Sequence, residues 1–326
     1  MKAALLIEPG RVEIDEVPDP DPGPGEVLIA VGGVGLCGSD MSVFTGKWKA
    51  RAYPWVMGHE AFGVIEDVGA EVSPNRLGEV VVIEPNFPCF RCEQCIGGRT
   101  SACFGRSSVG MNRAGALAER MVLPARFAWP MPGVPVTDLV CVEPMTVSMA
   151  ALRRLGEPIT SSALVVGAGS QGLAMSLALL NREVTVYAQD VNPDSVAFAV
   201  ELGARSATPA DDIRFPLVVD TVGSPSSVAT AIDRVDAGGT LLLLGLDSRP
   251  LELSSQTLVR RQVILRGSLT YDHPIDFEQV TGLVADGRLS PGRIVTDEYS
   301  LEDAQHAFEK SGSARGKTWI RVAPQV

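Results

Sequence analysis

Four thiols fall within fifteen residues of this chain, in Cys89-Phe90-Arg91-Cys92-Glu93-Gln94-Cys95 and then Cys103. Two CxxC steps let successive thiolates converge on one ion, and the longer return closes a tetrahedron, the ligand pattern of structural zinc. Four thiolates leave Zn²⁺ no open position and a net charge of about −2, so such an ion scaffolds and is no useful Lewis acid. An iron–sulfur cluster is the rival occupant, but nothing else in the chain resembles an electron-transfer module. Disulfides are the other alternative, and a reducing cytoplasm disfavours them.

The chemistry must then come from what remains: Cys37, Cys141 and the histidines His59, His273 and His306. Cys37 and His59 both lie in glycine-flanked stretches, Gly35-Leu36-Cys37-Gly38-Ser39-Asp40 and Met57-Gly58-His59-Glu60. With one acid they make three ligands and an open fourth position, as catalytic zinc requires. Glu60 and Glu143 are the candidate acids, and Asp40 is a candidate holder of the second His59 ring nitrogen. Cys141, in an apolar run, is expected to be a core thiol, and His306, in an amphipathic segment, a surface or packing residue. Trp48 and Trp55 flank the approach to His59, where a pocket wall and a core position are equally expected.

A second constellation binds phosphate. The apolar run Ala163-Leu164-Val165-Val166 leads into Gly167-Ala168-Gly169-Ser170-Gln171-Gly172 and then a helical stretch. Between strand and helix these glycines permit a tight turn, close approach to a pyrophosphate and close helix packing, while the helix N-terminus offers free N–H groups. Asp190, eighteen positions after Gly172, is placed to accept from an adenosine ribose and to repel a 2′-phosphate. NAD is expected over NADP.

These groups need two kinds of scaffold. Residues 1–147 read as short β runs, such as Val27–Val31 and Val80–Ile83, broken by Gly and Pro. Residues 148–271 alternate apolar strands with helical patterns, the signature of a parallel sheet covered on both faces. The tail 272–326, with the amphipathic Leu301–Phe308 and the final strand Thr318–Val322, is expected to return to the first domain. At 326 residues, 45% apolar and 21% charged, the chain suits a two-domain soluble globular protein. A net charge of −11 disfavours nucleic acid and anionic lipid as partners. The N-terminal stretch has too few apolar residues before a charge for a signal or membrane span, so a cytoplasmic protein is expected.

Cys37-Gly38-Ser39-Asp40, Gly58-His59-Glu60, the four-cysteine lobe, Val142-Glu143-Pro144, the Gly167 to Gly172 loop and Gly316-Lys317 occur in one order. Over nearly its whole length the chain resembles the zinc-dependent medium-chain dehydrogenase/reductase superfamily. Glu143-Pro144 followed by Met145-Thr146-Val147 resembles its sorbitol and polyol dehydrogenase branch. The resemblance implies an α/β protein, a Rossmann domain joined to a β-rich GroES-like catalytic domain, usually dimeric or tetrameric. It implies a catalytic zinc on Cys37, His59 and Glu60, with Glu143 a ligand or bonded to the zinc water, and Ser39 as the hydroxyl that takes the substrate proton. Val222-Gly223, Gly245-Leu246, Ser268 and Leu269 would line the cofactor site. The implied reaction passes hydride between a secondary alcohol, held as a zinc alkoxide, and NAD.

The chain departs from the branch where substrate is read. Ser42 and Val43 stand where sorbitol dehydrogenases carry a relay histidine and a tyrosine, and Thr270-Tyr271 replaces an Arg-Tyr pair. A polyol, sugar or cyclitol is expected, with an amino alcohol or threonine-like substrate as alternative. A catalytically silent NAD(H)-binding protein is the alternative of another class, which an intact Cys37, His59 and Glu60 disfavours. Between Ala204 and Asp220 the nucleotide domain has less sequence than the family usually has, consistent with a lost helix.

Overall fold

Partly buried and buried positions alternate along the first half of Glu26–Gly35, then every position is buried, so this strand begins at a surface and ends in an interior. It is the hub of the first of two units into which the chain divides, Met1–Pro144 with Asp272–Val326. The second unit is Met145–Tyr271, and helix Val142–Leu155 runs through the junction, a little before the 147/148 boundary expected from sequence. The computed structural model describes residues 1–156, 160–208 and 211–323.

In the first unit a seven-stranded sheet runs Ala128–Pro130, Val80–Ile83, Glu60–Val68, Glu26–Gly35, Lys317–Arg321, Val295–Ser300, with Arg120–Pro124 also paired to Glu26–Gly35. A three-stranded sheet of Arg11–Glu16, Lys2–Glu8 and Trp55–Val56 packs with it around one apolar core. The tail thus supplies a central strand of the first unit. The short helix Gly38–Phe44 leaves the end of the hub strand; Cys37 is its N-cap residue and Asp40 closes a capping box.

The second unit is a six-stranded parallel sheet in the order Arg205–Ser206, Thr185–Gln189, Ser162–Val166, Phe215–Asp220, Val235–Leu243, Ile264–Gly267. That is the doubly wound 3-2-1-4-5-6 arrangement. The helices start where side chains supply acceptors: Asn192 Oδ1 takes Asp194 N at 3.0 Å and Ser224 Oγ takes Ser227 N at 3.1 Å. Among the described residues no helix lies between Arg205–Ser206 and Phe215–Asp220, as the shortened sequence suggested. Arg234 ties that bare connection instead, donating to Thr208 O at 2.9 Å and Ile213 O at 2.8 Å while stacking over Phe215. Among the described residues no helix is long and apolar enough to cross a membrane.

Candidate functional site

Strand register assembles the reactive corner of the first unit. Gly35 pairs with Glu60, the first residue of Glu60–Val68, and with Trp319 of Lys317–Arg321. Cys37 therefore leaves one strand beside the point where His59 enters the next, and Leu36 N donates to Thr318 O at 3.0 Å, which sets Lys317 alongside. Ligand atoms of Cys37, His59 and Glu60 all lie within 4.8 Å of one another.

Asp40 orders this corner. Its fully buried carboxylate accepts from Cys37 N at 3.0 Å and Gly58 N at 3.2 Å, and faces His59 Nδ1 at 3.2 Å. Gly58 meets it at φ 89°, a conformation that favours glycine. With Nδ1 engaged by Asp40, Nε2 is the ring nitrogen at which a metal would take the place of a proton. Burial pushes His59 toward the neutral form, but Asp40 and Cys37 outweigh it and hold the ring well above its ordinary pKa. Thiolate, imidazole and carboxylate are the donor set zinc takes in open sites.

Glu60 is buried and forms an ion pair with Lys317, which is fully buried. Gly35 makes room for them: a Cβ there would lie 2.5 Å from Glu60 Oε2 and 2.8 Å from Lys317 Cε. Burial opposes the Lys317 charge, and Glu60, Cys37 and Cys141 outweigh burial, so the ammonium persists. Cys141 is itself fully buried and burial pushes its thiol up, leaving a neutral packing group. Only the Gly316-Lys317 motif hinted at this lysine; its signal was a cation opening a strand that continues Thr318-Trp319-Ile320.

Other expected residues are placed less centrally. Glu143, in the first turn of Val142–Leu155, is buried but is not among the three grouped ligand atoms. Ser39 lies in the first turn after Cys37 and is partly buried. Ser42 Oγ donates to Gly38 O at 3.0 Å and Val43 is a core residue. Trp48 and Trp55 both pack against the core of the first unit. His306 is exposed, beside Glu309.

In the lobe, Cys92 Sγ lies 3.5 Å from Cys95 Sγ and 3.9 Å from Cys103 Sγ, and Cys89 completes the group. A tetrahedral zinc with sulfurs at about 2.3 Å has sulfur–sulfur edges of about 3.8 Å. A disulfide needs about 2.05 Å, and all six cysteines are free. A cluster, whose thiolates sit on different iron atoms, needs them farther apart. The backbone N–H groups of Arg91 and Cys92 draw the Cys89 thiol down to about 6, whereas burial and the neighbouring thiols push Cys95 up to about 12. A metal at this group would find Cys89 largely as thiolate and would displace the proton from Cys95.

The lobe is tied to the start of the tail. Ser101 N donates to Asp272 Oδ1 at 2.9 Å and His273 N to Thr100 Oγ1 at 2.6 Å. His273 Nδ1 is 2.8 Å from Glu84 Oε2, which also accepts from Trp129 Nε1, and the rings of Phe90 and Phe127 enclose the imidazole. His273 is thus a packing residue. Burial holds the Glu84 carboxyl above its ordinary value, with His273 and Trp129 pulling it down less strongly. A raised folded pKa means that the unfolded chain releases this proton first, so the charge penalises folding increasingly as pH rises above about 4.5. Glu84→Gln keeps an acceptor and removes the charge. Its stability relative to wild type should therefore rise between pH 4 and pH 7 in urea unfolding; a constant difference would refute this assignment.

In the second unit the expected nucleotide residues collect at the carboxyl ends of the strands. Gly167 to Gly172 joins Ser162–Val166 to helix Ser170–Leu180, for which Gly169 is the N-cap. A Cβ on Gly172 would lie 1.8 Å from Gly167 O, so strand and helix meet here only through glycine. Asp190 follows Thr185–Gln189; its Oδ2 accepts from Ala168 N at 2.6 Å and its Oδ1 from Asn192 N at 2.8 Å. It thereby shapes the glycine loop with its own carboxylate. Val222, Leu246 and Leu269 follow Phe215–Asp220, Val235–Leu243 and Ile264–Gly267 and are about half exposed, at 47%, 51% and 50%. The turns at Gly223 and Gly245 pack backbone to backbone. Two side chains are engaged within the fold: Gln171 Nε2 donates to Ser148 Oγ at 2.8 Å, and Ser268 Oγ accepts from Arg154 at 2.8 Å.

Comparison with known proteins matches residues 23–133 to the alcohol dehydrogenase GroES-like domain and residues 172–286 to the zinc-binding dehydrogenase domain. The D-altritol 5-dehydrogenase of Agrobacterium fabrum is 30% identical over 339 aligned residues, covering 100% of both chains. The chain belongs to the zinc-dependent medium-chain dehydrogenase/reductase superfamily, in its polyol dehydrogenase-like branch. The sorbitol dehydrogenase of Bacillus subtilis is 29% identical over 95% of this chain and 93% of its own. An alcohol dehydrogenase from E. coli CFT073, solved with NADH, superposes with a TM-score of 0.91 at 26% identity over 99% of each chain. This family membership makes the protein an enzyme, a zinc-dependent alcohol or polyol dehydrogenase with a nicotinamide cofactor.

Proposed function

We propose that the protein oxidises a secondary alcohol group of a polyol, sugar or cyclitol with NAD⁺, or reduces the corresponding ketone, at a zinc centre held by Cys37, His59 and Glu60. The observation that carries this is the approach of three unlike donors within 4.8 Å, with the imidazole oriented by Asp40. Bound there, zinc would supply a Lewis acid that lowers the pKa of an oxygen it holds, from about 15.7 for bulk water to about 7. Cys37 and Glu60 would bring two negative charges that nearly cancel the dication, so the substrate oxygen keeps electron density for hydride release. Asp40 holds the imidazole in the ligating tautomer, and Ser39 is assigned to carry the alcohol proton outward. Glu143 is assigned as the exchanging acid or as partner of the water.

The second zinc is assigned to Cys89, Cys92, Cys95 and Cys103, where it closes the lobe. NAD is assigned to Gly167, Gly169, Ser170, Gln171, Gly172, Asp190, Val222, Gly245, Leu246, Ser268 and Leu269. Asp190 supports NAD over NADP because no Arg or Lys stands in Val191-Asn192-Pro193 to neutralise a 2′-phosphate. Asp190→Ser should narrow the NAD⁺ over NADP⁺ preference in kcat/KM by about one to two orders of magnitude; a wild type that prefers NADP⁺ would contradict the assignment.

The Ile264–Gly267 edge strand is exposed along its length, with Ile264 at 57% and Val259 of the preceding helix at 75%. An open apolar edge supports a homo-oligomer, dimer or tetramer. Free thiols poised as ligands suit a cytoplasmic location, and the net charge of −11 gives nucleic acid no purchase.

Ser42, Val43 and Thr270 in place of the branch's polyol readers support a second substrate reading, an amino alcohol or threonine-like compound. The test is NAD⁺ reduction across polyols, cyclitols and amino alcohols, alongside NADH binding. Turnover confined to one class identifies it, whereas tight NADH binding without turnover on any would establish the silent reading.

A further inference from the structure

Arg234, the C-cap of helix Pro225–Asp233, is 7% exposed, and among the described residues no carboxylate forms an ion pair with its guanidinium. Its Nη2 has no acceptor there. A buried cation without a counter-ion is costly, and a methionine would cover the Phe215 ring without that cost. The arginine is therefore explained by what its donors hold.

They hold two segments together. Nε donates to Ile213 O at 2.8 Å and Nη1 to Thr208 O at 2.9 Å, which satisfies two carbonyls of the connection that has no helix. The third acceptor lies outside that connection: Nη1 also meets Gln189 Oε1 at 3.3 Å. Gln189 is buried at the end of strand Thr185–Gln189, and its own carbonyl accepts from Gly167 N at 2.8 Å. Asp190 comes next, with Ala168 N on its Oδ2. Ala207 N donates to Ala188 O at 2.9 Å, which lays the connection against the same strand end. We propose that Arg234 is a positioning residue for the dinucleotide, pinning Gln189 to Thr208 and thereby fixing Asp190 and the glycine loop in place of the missing helix. The proposal rests on the assignment of the dinucleotide to Gly167, Gly169, Gly172 and Asp190. Gln189 and Thr208 lie on the Asp190 side of that loop, so the effect falls on affinity for the adenosine half and not on hydride transfer.

The test is binding of ADP-ribose, which lacks the nicotinamide, to the full-length zinc-loaded protein, measured by calorimetry well below the unfolding midpoint. Arg234→Met should raise its Kd about tenfold, the loss expected for a charged hydrogen-bond donor. KM for NAD⁺ should rise alike, while kcat at saturating NAD⁺ stays within about twofold of wild type. Arg234→Lys, which keeps the charge without the planar guanidinium, should recover part of the affinity. Gln189→Leu should give a smaller rise, and adding it to Arg234→Met should change little, because both act through one contact. If Arg234 only holds the connection, Arg234→Met lowers the thermal midpoint and leaves ADP-ribose binding unchanged. That outcome overturns the proposal, as does a fall in kcat with KM unmoved. If Arg234→Met does not fold, Gln189→Leu decides, and unchanged ADP-ribose affinity in that variant refutes the clamp. Asp190→Ala separates the two claims. Weaker binding in Asp190→Ala but not in Arg234→Met refutes Arg234 alone, whereas unchanged binding in Asp190→Ala refutes the dinucleotide assignment itself.

Discussion

Cys37→Ser should lower the zinc content from two ions per chain to one and reduce turnover by at least about 10³-fold, with the fold intact. Three ligands hold an open zinc, and a serine hydroxyl is a poor replacement for a thiolate. The activity loss follows from the acidity the metal confers, because each pKa unit withdrawn from the reacting oxygen is about 1.4 kcal/mol of barrier. The fold survives because Cys37 is the N-cap of helix Gly38–Phe44, and serine is a better N-cap than cysteine. Metal analysis, thermal unfolding and steady-state assay of one preparation separate these effects. Retention of both zincs, or of turnover, would place the reaction elsewhere.

Cys103→Ala should do the reverse in kind: one zinc lost from the lobe and a thermal midpoint lower by about 10 °C or more. Structural zinc binding is folding free energy, and each kcal/mol lost moves the midpoint of a domain of this size by about 2–4 °C. Cys103 is buried, and its sulfur accepts from Cys89 N at 3.3 Å as well as facing Cys92. Loosening the lobe also frees Thr100 and Ser101 from the Asp272-His273 segment they hold. Residual activity measured below the new midpoint should stay within about tenfold of wild type, since no lobe cysteine joins the Cys37 group. Loss of turnover in a still-folded variant would show that the lobe does more than scaffold.

The two candidate ligand groups differed in how plainly the sequence displayed them, for a physical reason. The lobe's cysteines are local, so CxxCxxC and the return to Cys103 already announce four neighbouring thiols, which the structure groups within 4.8 Å. The Cys37, His59 and Glu60 group depends on the pairing of Gly35 with Glu60 across two strands, and spacing cannot report register. Family resemblance was needed to raise it above a lone cysteine and a lone histidine. Lys317 lies still farther along the chain and joins by a third strand, which explains why its partner could not be read. The nucleotide loop was legible because strand, glycines and helix are contiguous, whereas the internal engagement of Gln171 with Ser148 and of Ser268 with Arg154 was not. His273, which could have stood near the cleft in place of a relay histidine, packs instead beside Glu84 and aromatic rings that are distant in sequence.

The most direct test of the central assignment is anomalous diffraction at the zinc absorption edge from crystals of the zinc-loaded protein. Two peaks per chain are expected, one among Cys89, Cys92, Cys95 and Cys103 and one bounded by Cys37 Sγ and His59 Nε2 with Glu60 adjacent. A single peak confined to the four thiols would contradict the assignment of the reaction to Cys37 and His59.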